Sequence, residues 1–177
     1  KIMAENLNED EFKRYETARG EIETCRNLKI IKIKNIERIM IYLKQLRKQH
    51  KIDVVFIDHL QALQGDREIF KKMVSVSEKI PVIIDEIGCS VIAFSQIDNQ
   101  TQREGQHTVL MAFKGGGDIP AMSDVGIMMV KDDDTNKKLP PADRRYVLAG
   151  VLKNRDYKTG FVKLQFNSEW TRIISNE

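Results

Sequence analysis

The segment DVVFIDHLQ, residues 53–61, is an apolar run that ends in the carboxylate of Asp58. A second apolar run, CSVIAFSQ, ends in the amide of Gln96. If the two runs are neighbouring strands, both polar groups face one crevice, because α/β sheets bind ligands at the carboxyl ends of their strands. A carboxylate there can hold Mg²⁺, usually through water, and an amide can sense a phosphate or an attacking water. The alternative is structural: Asp58 caps the following helix, and Gln96 only begins a loop.

Strands that recur along the chain would position these groups. LKIIKIK, residues 28–34, is β-branched and partly alternating, and VVFI, VIAF and VGIMMV are further apolar runs, so each predicts a strand. The continuous runs are typical of parallel strands that helices cover on both faces. RRYVLAGVLKN and GFVKLQF, joined through RDYKTG, predict a β-hairpin in which Gly160 closes the turn. The order predicts an α/β sheet, parallel in its centre, with an antiparallel end.

Helices are predicted between the strands. Asn8 and Glu11 have the spacing of a capping box before a polar, largely solvated helix. Asn35 precedes an apolar stripe at spacings of three and four, which predicts a helix packed against a sheet. The stripe is formed by Ile36, Ile39, Met40, Leu43 and Leu46. Residues 66–88 have a helical pattern, in which Pro81 predicts two helices or a kink.

Length, charge and cysteine content restrict the class of protein. The length of 177 residues suits one compact domain, so residues 1–177 are predicted to form a single domain. The formal net charge is +3, but residues 144–172 hold seven basic and two acidic side chains. This local excess of positive charge is typical either of a site for a polyanionic partner or of solvated lysines on edge strands.

The composition of the segment DDDTNKKLPPAD, residues 132–143, predicts a surface loop. Two cysteines without metal-ligand spacing, and no apolar run of membrane-spanning length, predict a cytoplasmic protein with no membrane span.

Four segments in series resemble the ATPase domain of the DnaB-type replicative helicases, which have the RecA fold. They are VVFIDHLQALQGD, SVIAFSQ, FKGGGDIPAMSDVGIMMV and VLKNRDYKTGFVKLQF, in the family's order and spacing from about Asp53 to Ile174. The resemblance implies a RecA-like P-loop ATPase core, with a central parallel sheet flanked by helices and a C-terminal antiparallel hairpin. It also implies ATP and Mg²⁺ as cofactors, a hexameric ring, single-stranded DNA as ligand, and a primase and a helicase loader as partners.

The resemblance assigns roles to individual residues. Asp58 falls on the Walker B aspartate, which orders the Mg²⁺ of bound ATP. Gln96 falls on the glutamine that couples the state of the γ-phosphate to the DNA-binding loop. Lys153 and Arg155 fall on the basic pair that reaches the γ-phosphate of the neighbouring subunit as an arginine finger. The structural alternative for this pair is two solvated residues on a hairpin.

A glycine-rich loop falls on the segment that grips single-stranded DNA in the family. It is formed by Lys114, Gly115, Gly116 and Gly117. Glycines let main-chain N–H groups approach phosphate, and the lysine adds charge, whereas an ordinary glycine-rich turn is the alternative. The basic residue usual shortly after the sensor glutamine is missing, and Arg103 is its candidate substitute. His59 replaces an aromatic residue of the family, and Asp124 alone remains of the acidic positions usual in the segment IPAMSD.

The nucleotide cradle of the family has no counterpart in the sequence. No G-x-x-x-x-G-K-[ST] motif occurs, and the family's catalytic glutamate follows that motif. We therefore expect the chain to be the C-terminal part of a hexameric, ATP-dependent replicative DNA helicase, and by itself neither to bind ATP tightly nor to hydrolyse it. Two alternatives stay open: a RecA-like recombinase or ring ATPase without unwinding activity, and a non-catalytic DNA-binding or assembly module.

Overall fold

The chain divides into two compact units, Lys1–Ile33 and Lys34–Glu177. A computed structural model describes residues 7–63, 69–96, 121–167 and 172–174. Within those ranges no helix has the length and apolar character needed to cross a bilayer. The single domain expected over residues 1–177 stays a prediction.

The first unit contains the helix α1, Glu9–Thr24. The Asn8 side chain accepts a hydrogen bond from Glu11 N–H (2.9 Å), and the Glu11 carboxylate accepts one from Asn8 N–H (3.0 Å). No side chain of α1 is buried, so the predicted capping box and solvated helix are both confirmed. Residues 28–34 form no strand, contrary to the prediction, and Ile30 is 72% exposed. β-branched residues favour a strand only where neighbouring strands and side chains pack around them.

Two helices of the second unit, α2 (Ile36–Arg47) and α3 (Ile69–Ile87), pack against each other. The Asn35 side chain caps α2 by accepting a hydrogen bond from Arg38 N–H at 2.9 Å. Three members of the predicted apolar stripe are buried, namely Ile36, Ile39 and Leu43. The stripe is therefore confirmed, but its main neighbour is α3 rather than the predicted sheet.

Pro81 lies inside α3, which is a single helix, so the predicted break into two helices is wrong and the alternative, a kink, stays a prediction. A proline in a helix interior removes a hydrogen bond and costs about 3 kcal/mol. Val76, Ile83 and Ile87 of the same helix are at most 3% exposed. Burial of each such side chain contributes about 1.5–3 kcal/mol, so packing outweighs the cost of the proline.

A parallel sheet is formed by β1 (Val54–Ile57) and β2 (Ser90–Ala93), in register from Val54 opposite Ser90 to Ile57 opposite Ala93. Both predicted strands and their parallel direction are confirmed. Helix α3 contacts β2, and Ile57 is buried. The opposite face is open, with Phe56 63% and Ile92 45% exposed. This exposure is seen in the described ranges, and the expected helical cover on both faces of the sheet stays a prediction.

An antiparallel sheet contains β3 (Val125–Lys131), β4 (Tyr146–Asn154), β5 (Gly160–Phe166) and β6 (Ile173–Ile174), in that order. The β4–β5 pair confirms the predicted hairpin. VGIMMV, expected as a further parallel strand with both faces covered, instead pairs antiparallel with β4. Its burial alternates, with Met128 buried and Ile127 and Met129 exposed. This period of two is typical of an antiparallel strand with one covered face, and apolar residues on the open face hid it from the sequence pattern.

The acidic segment after β3 lies mostly at the surface, as its composition predicts, but two buried residues anchor it to the sheet. It contains the short helix α4, Asp133–Asn136, and a 3-10 turn, Pro141–Asp143. The Asp132 side chain, 5% exposed, pairs with Lys163 Nζ of β5 at 2.9 Å. Asn136, also buried, bonds to both the N–H and the carbonyl of Tyr146 in β4. Composition alone misses such anchors because it counts polar residues without their partners.

Candidate functional site

Asp58 and Gln96 lie at the same edge of the parallel sheet. Asp58 directly follows β1, and Gln96 follows the end of β2 by three positions. Main-chain pairing continues past both strands, because Phe94 N–H donates to the Ile57 carbonyl (3.0 Å) and Leu60 N–H donates to the Phe94 carbonyl (2.9 Å). The two strand ends therefore meet as the sequence pattern predicts, whereas the roles of both residues stay predictions.

Gln61 is a member of this site that the sequence pattern did not single out. Its Nε2 donates to Ser95 Oγ at 2.8 Å, and its Oε1 accepts a hydrogen bond from Gln96 N–H at 3.2 Å. Gln61 lies in the 3-10 helix Leu60–Ala62 just after β1, so the two bonds tie one strand end to the other. The signal that could have found it is the run DHLQ, which places an amide three residues after Asp58.

The Asp58 carboxylate is available to solvent. Its side chain is 82% exposed, and His59 Nδ1 lies 3.9 Å from Asp58 Oδ1, beyond hydrogen-bond distance. The peptide bond between the two residues is cis. The 3-10 helix after β1 has no side-chain cap, so the alternative in which Asp58 caps the following helix is not met there.

The donor set around Asp58 suits a Mg²⁺ ion that arrives with a nucleotide. Mg²⁺ is typically bound by one or two carboxylates together with waters and phosphate oxygens. In the described ranges, no group of three or more His, Cys, Asp or Glu residues could hold a metal by itself. One exposed carboxylate at the carboxyl edge of a parallel sheet therefore fits a Mg²⁺ ion that is bound mainly by waters and phosphate oxygens.

A register shift in the antiparallel sheet positions Lys153 and Arg155. Gly126 pairs with Lys153 but Ile127 pairs with Val151, so one residue of β4 is left over between them. A bulge of this kind bends the strand and re-aims its side chains, and bulges are common beside active sites. Lys153 and Arg155 are two positions apart, which places both on one side of an extended chain.

Both predicted trans-acting residues bond to the segment 121–124. Arg155 Nη1 lies 2.7 Å from Asp124 Oδ1, and Arg155 N–H donates to the Asp124 carbonyl at 2.9 Å. Lys153 Nζ donates to the Ala121 carbonyl at 2.7 Å. The side chains of Arg155 and Asp124 are 62% and 65% exposed. Both basic residues are thus held by contacts to this segment while Arg155 stays exposed, and their action in trans stays a prediction.

The predicted DNA contacts fall outside the described residues. They are Lys114, Gly115, Gly116, Gly117 and Arg103, and their roles stay predictions. The next described residue after the glycine-rich loop is Ala121, which lies four positions beyond Gly117. Because Ala121 accepts the hydrogen bond from Lys153, the described contacts reach to within four residues of the predicted loop.

The family of this chain is identified by comparison with models of known protein families. The model of the DnaB-like helicase C-terminal domain matches residues 1–175. The chain belongs to this DnaB-like family. The match extends over nearly all of the chain and confirms the resemblance that the four sequence segments indicate.

Curated relatives of the DnaB-like chain are replicative helicases. "Replicative DNA helicase DnaB" of Helicobacter pylori is 25% identical over an alignment that covers 77% of this chain and 36% of the relative. "Replicative DNA helicase DnaC" of Bacillus subtilis is 24% identical and covers 76% of this chain and 30% of the relative. The DnaB-like chain therefore spans about a third of the length of the curated relatives it matches.

Two solved structures share the fold of the DnaB-like chain. One is described as an ATPase domain and aligns with a TM-score of 0.79 at 23% identity, over 97% of this chain and 62% of that one. The other, a DnaB-like replicative helicase solved to show its interactions with primase, aligns with the same TM-score and identity over 100% of this chain and 43% of that one. The mixed α/β fold is thus that of a DnaB-like ATPase domain.

Proposed function

We propose that the DnaB-like chain is part of a hexameric helicase that hydrolyses ATP, moves along single-stranded DNA and unwinds duplex DNA. One observation carries the proposal: Asp58 and Gln96 end two hydrogen-bonded parallel strands at one edge, which is where α/β sheets bind nucleotides. The family match and the names of the curated relatives support it.

Asp58 would hold the Mg²⁺ of bound ATP through water. Its exposed carboxylate suits this ion, because Mg²⁺ loses its waters reluctantly and keeps several of them in protein sites. When bound, the ion neutralises negative charge that develops on the phosphates. Asp58 acts by accepting hydrogen bonds from the waters of the ion, which orients them at the end of β1.

Gln96 would sense the γ-phosphate or the attacking water. Gln96 is exposed, while its main-chain N–H is bonded to Gln61 Oε1. A fixed backbone with an accessible amide suits a group that must make or break one hydrogen bond as the phosphate leaves. Gln61 therefore limits the motion of the sensor to its side chain.

Lys153 and Arg155 would act on the nucleotide of the neighbouring subunit. They lie at the end of β4 in the antiparallel sheet, whereas Asp58 and Gln96 lie beside the parallel pair. A planar guanidinium binds phosphoryl oxygens in two-pronged geometry and cannot lose its charge at neutral pH. Arg155 is 62% exposed, so a second subunit can reach it.

The parallel pair would belong to a larger, central parallel sheet of a RecA-like core. Val54, Phe56 and Ile92 form an apolar face that is exposed in this chain. Parallel sheets are rarely stable with a bare face, since both faces are usually covered by helices. Further strands and helices of the intact domain would cover it.

Single-stranded DNA and a primase are the partners that fit this function. Lys114, Gly115, Gly116, Gly117 and Arg103 would contact the DNA backbone. One structural neighbour is a DnaB-like helicase described with its primase interactions, which supports a primase as a partner of the intact protein.

A subunit-mixing experiment on the intact gene product tests the site assignment. Asp58→Asn removes the metal-binding carboxylate and Arg155→Ala removes the group that acts in trans, so each variant alone should lose DNA-stimulated ATP hydrolysis. In a ring mixed at random from both variants, about a quarter of the interfaces regain an intact Asp58 and an intact neighbouring Arg155. We expect turnover to return in the mixture. The matched control is Lys158→Ala, which removes another exposed basic residue of the hairpin and should leave turnover unchanged.

Four outcomes would contradict the proposal. Wild-type turnover by Arg155→Ala alone would refute the trans assignment, and so would a mixture that stays inactive although both variants form rings. An intact protein that exchanges DNA strands without unwinding would favour the recombinase. An intact protein that binds DNA without any ATP hydrolysis would favour the non-catalytic module.

A further inference from the structure

We propose that Asp124 is a positioning residue for Arg155, holding the guanidinium at the end of β4 so that it faces the nucleotide of the neighbouring subunit. The inference rests on the proposed function, because it assumes that Arg155 acts on a phosphoryl group in trans. The observation behind it is the pair of contacts that join these two residues in the described part of the chain.

The main chain sets the two residues opposite each other. Val125 pairs with Asn154 at the end of the β3–β4 ladder, and Arg155 N–H donates to the Asp124 carbonyl at 2.9 Å, which extends the ladder by one pair. Residues directly opposite each other on antiparallel strands have side chains within contact range. The carboxylate of Asp124 therefore meets the guanidinium without any rearrangement of the backbone.

The side-chain contact leaves Arg155 able to bind a second anion. It joins one nitrogen, Nη1, to one oxygen, Asp124 Oδ1, at 2.7 Å. A guanidinium carries further N–H donors on its other nitrogens, and these match the spacing of phosphoryl oxygens. Asp124 can thus orient the group by one nitrogen while the remaining donors face a substrate.

The solvent exposure of the Arg155–Asp124 ion pair limits how strongly Asp124 can orient Arg155. The side chains are 62% and 65% exposed, so water and salt screen their attraction. A solvent-exposed ion pair changes a conformational equilibrium by no more than about fivefold. Loss of Asp124 should therefore reduce the fraction of correctly oriented Arg155 by up to about fivefold, and should not abolish its function.

Lys153 and Arg155 both bond to the segment 121–124. Lys153 Nζ donates to the Ala121 carbonyl at 2.7 Å, three residues before Asp124. The register shift between Gly126 and Ile127 places Lys153 opposite Gly126, close to this segment. Asp124 differs from Ala121 in that it bonds through its side chain, so its contribution can be removed by substitution.

Steady-state ATP hydrolysis by the intact gene product, with saturating oligothymidylate, tests the proposal. We expect Asp124→Ala to lower kcat by about twofold to fivefold with an unchanged KM for ATP, because orientation of Arg155 matters in the transition state and not in substrate binding. Asp124→Glu, which keeps the carboxylate, should restore most of the turnover. Asp134→Asn, which removes a carboxylate from an exposed position, should have the kcat of the wild type.

The outcomes separate this proposal from the proposed function. If Arg155→Ala suppresses turnover but Asp124→Ala has wild-type kcat, the positioning role is wrong and the function stands. A rise in KM with unchanged kcat, or a loss that Asp124→Glu does not restore, would also overturn it. If Arg155→Ala has wild-type turnover, both proposals fail. Asp124→Asn, which keeps the shape of the side chain, replaces Asp124→Ala if the melting temperature shows that the latter is unfolded.

Discussion

Asp132→Asn should destabilise the protein in a pH-dependent way. The Asp132 carboxylate is 5% exposed and pairs with Lys163 Nζ at 2.9 Å. It also accepts hydrogen bonds from Thr135 N–H at 3.0 Å and from the Thr135 hydroxyl at 2.6 Å. Asparagine keeps the shape of the side chain and one acceptor oxygen but carries no charge. The substitution therefore removes mainly the charge-dependent part of the anchor.

The magnitude follows from the pKa of Asp132. Burial raises this pKa, but the hydrogen bonds and the charge from Thr135 and Lys163 outweigh burial and lower the pKa from 3.8 to about 2. Because the folded-state pKa lies below the unfolded value, the ionised carboxylate stabilises the fold above the unfolded pKa. That stability is lost as the pH falls through the folded pKa. The shift corresponds to about 2 kcal/mol at pH 7 and about half of that at pH 3. Lys163 is 48% exposed, so solvent screening makes these upper values.

Urea denaturation followed by circular dichroism at pH 7 and pH 3 measures the two free energies of unfolding. We expect Asp132→Asn to lower the free energy of unfolding by about 1–2 kcal/mol at pH 7 and by about half as much at pH 3. Asp134→Asn removes the same charge from an exposed position of α4 and should change stability by less than about 0.5 kcal/mol. Equal losses at both pH values, or an Asp132→Asn variant as stable as the wild type at pH 7, would show that the charge of Asp132 does not stabilise the fold.

Three further predictions address the strand ends, the helix ends and the DNA loop. Gln61→Met should lower kcat for ATP hydrolysis by the intact gene product up to about tenfold, because the hydrogen bonds to Ser95 and Gln96 are lost. Gln61→Glu can accept both hydrogen bonds and should retain most of the turnover. Equal kcat values for Gln61→Met and Gln61→Glu would show that these hydrogen bonds do not support hydrolysis. Gly88→Ala should lower the free energy of unfolding by about 1 kcal/mol, because φ is +68° and a Cβ would lie 3.2 Å from the Arg47 guanidinium. Gly20→Ala in α1, where a Cβ meets nothing within 4 Å, should not destabilise, and a loss of equal size there would argue against the conformational explanation. Lys114→Ala should flatten the salt dependence of DNA binding by about one unit of slope or less, and an unchanged slope in fluorescence anisotropy would point away from a phosphate contact.

Features set by neighbouring residues were predictable from the sequence. The capping side chains Asn8 and Asn35 each bond within three residues of their own position, so a short window of sequence contains both partners. The strand ends at Asp58 and Gln96 were predictable because apolar runs define strands, and the order of strands in an α/β sheet restricts where their ends lie.

Features that depend on distant partners were not predictable. Residues 28–34 have the composition of a strand and form none, because composition cannot supply a pairing partner. The contacts of Lys153 and Arg155 depend on a one-residue shift in the β3–β4 register, which no local pattern encodes. The role of Asp132, which caps α4, required Lys163 of β5. In the last two cases the deciding interaction joins residues far apart in the sequence.

Unwinding of a forked DNA duplex by the intact gene product, with ATP and Mg²⁺, tests whether Asp58 supports helicase activity. We expect the wild-type protein to separate the strands and Asp58→Asn to bind the same DNA without unwinding it. Unwinding by Asp58→Asn at the wild-type rate, or a wild-type protein that hydrolyses ATP on DNA and leaves the duplex intact, would contradict this expectation.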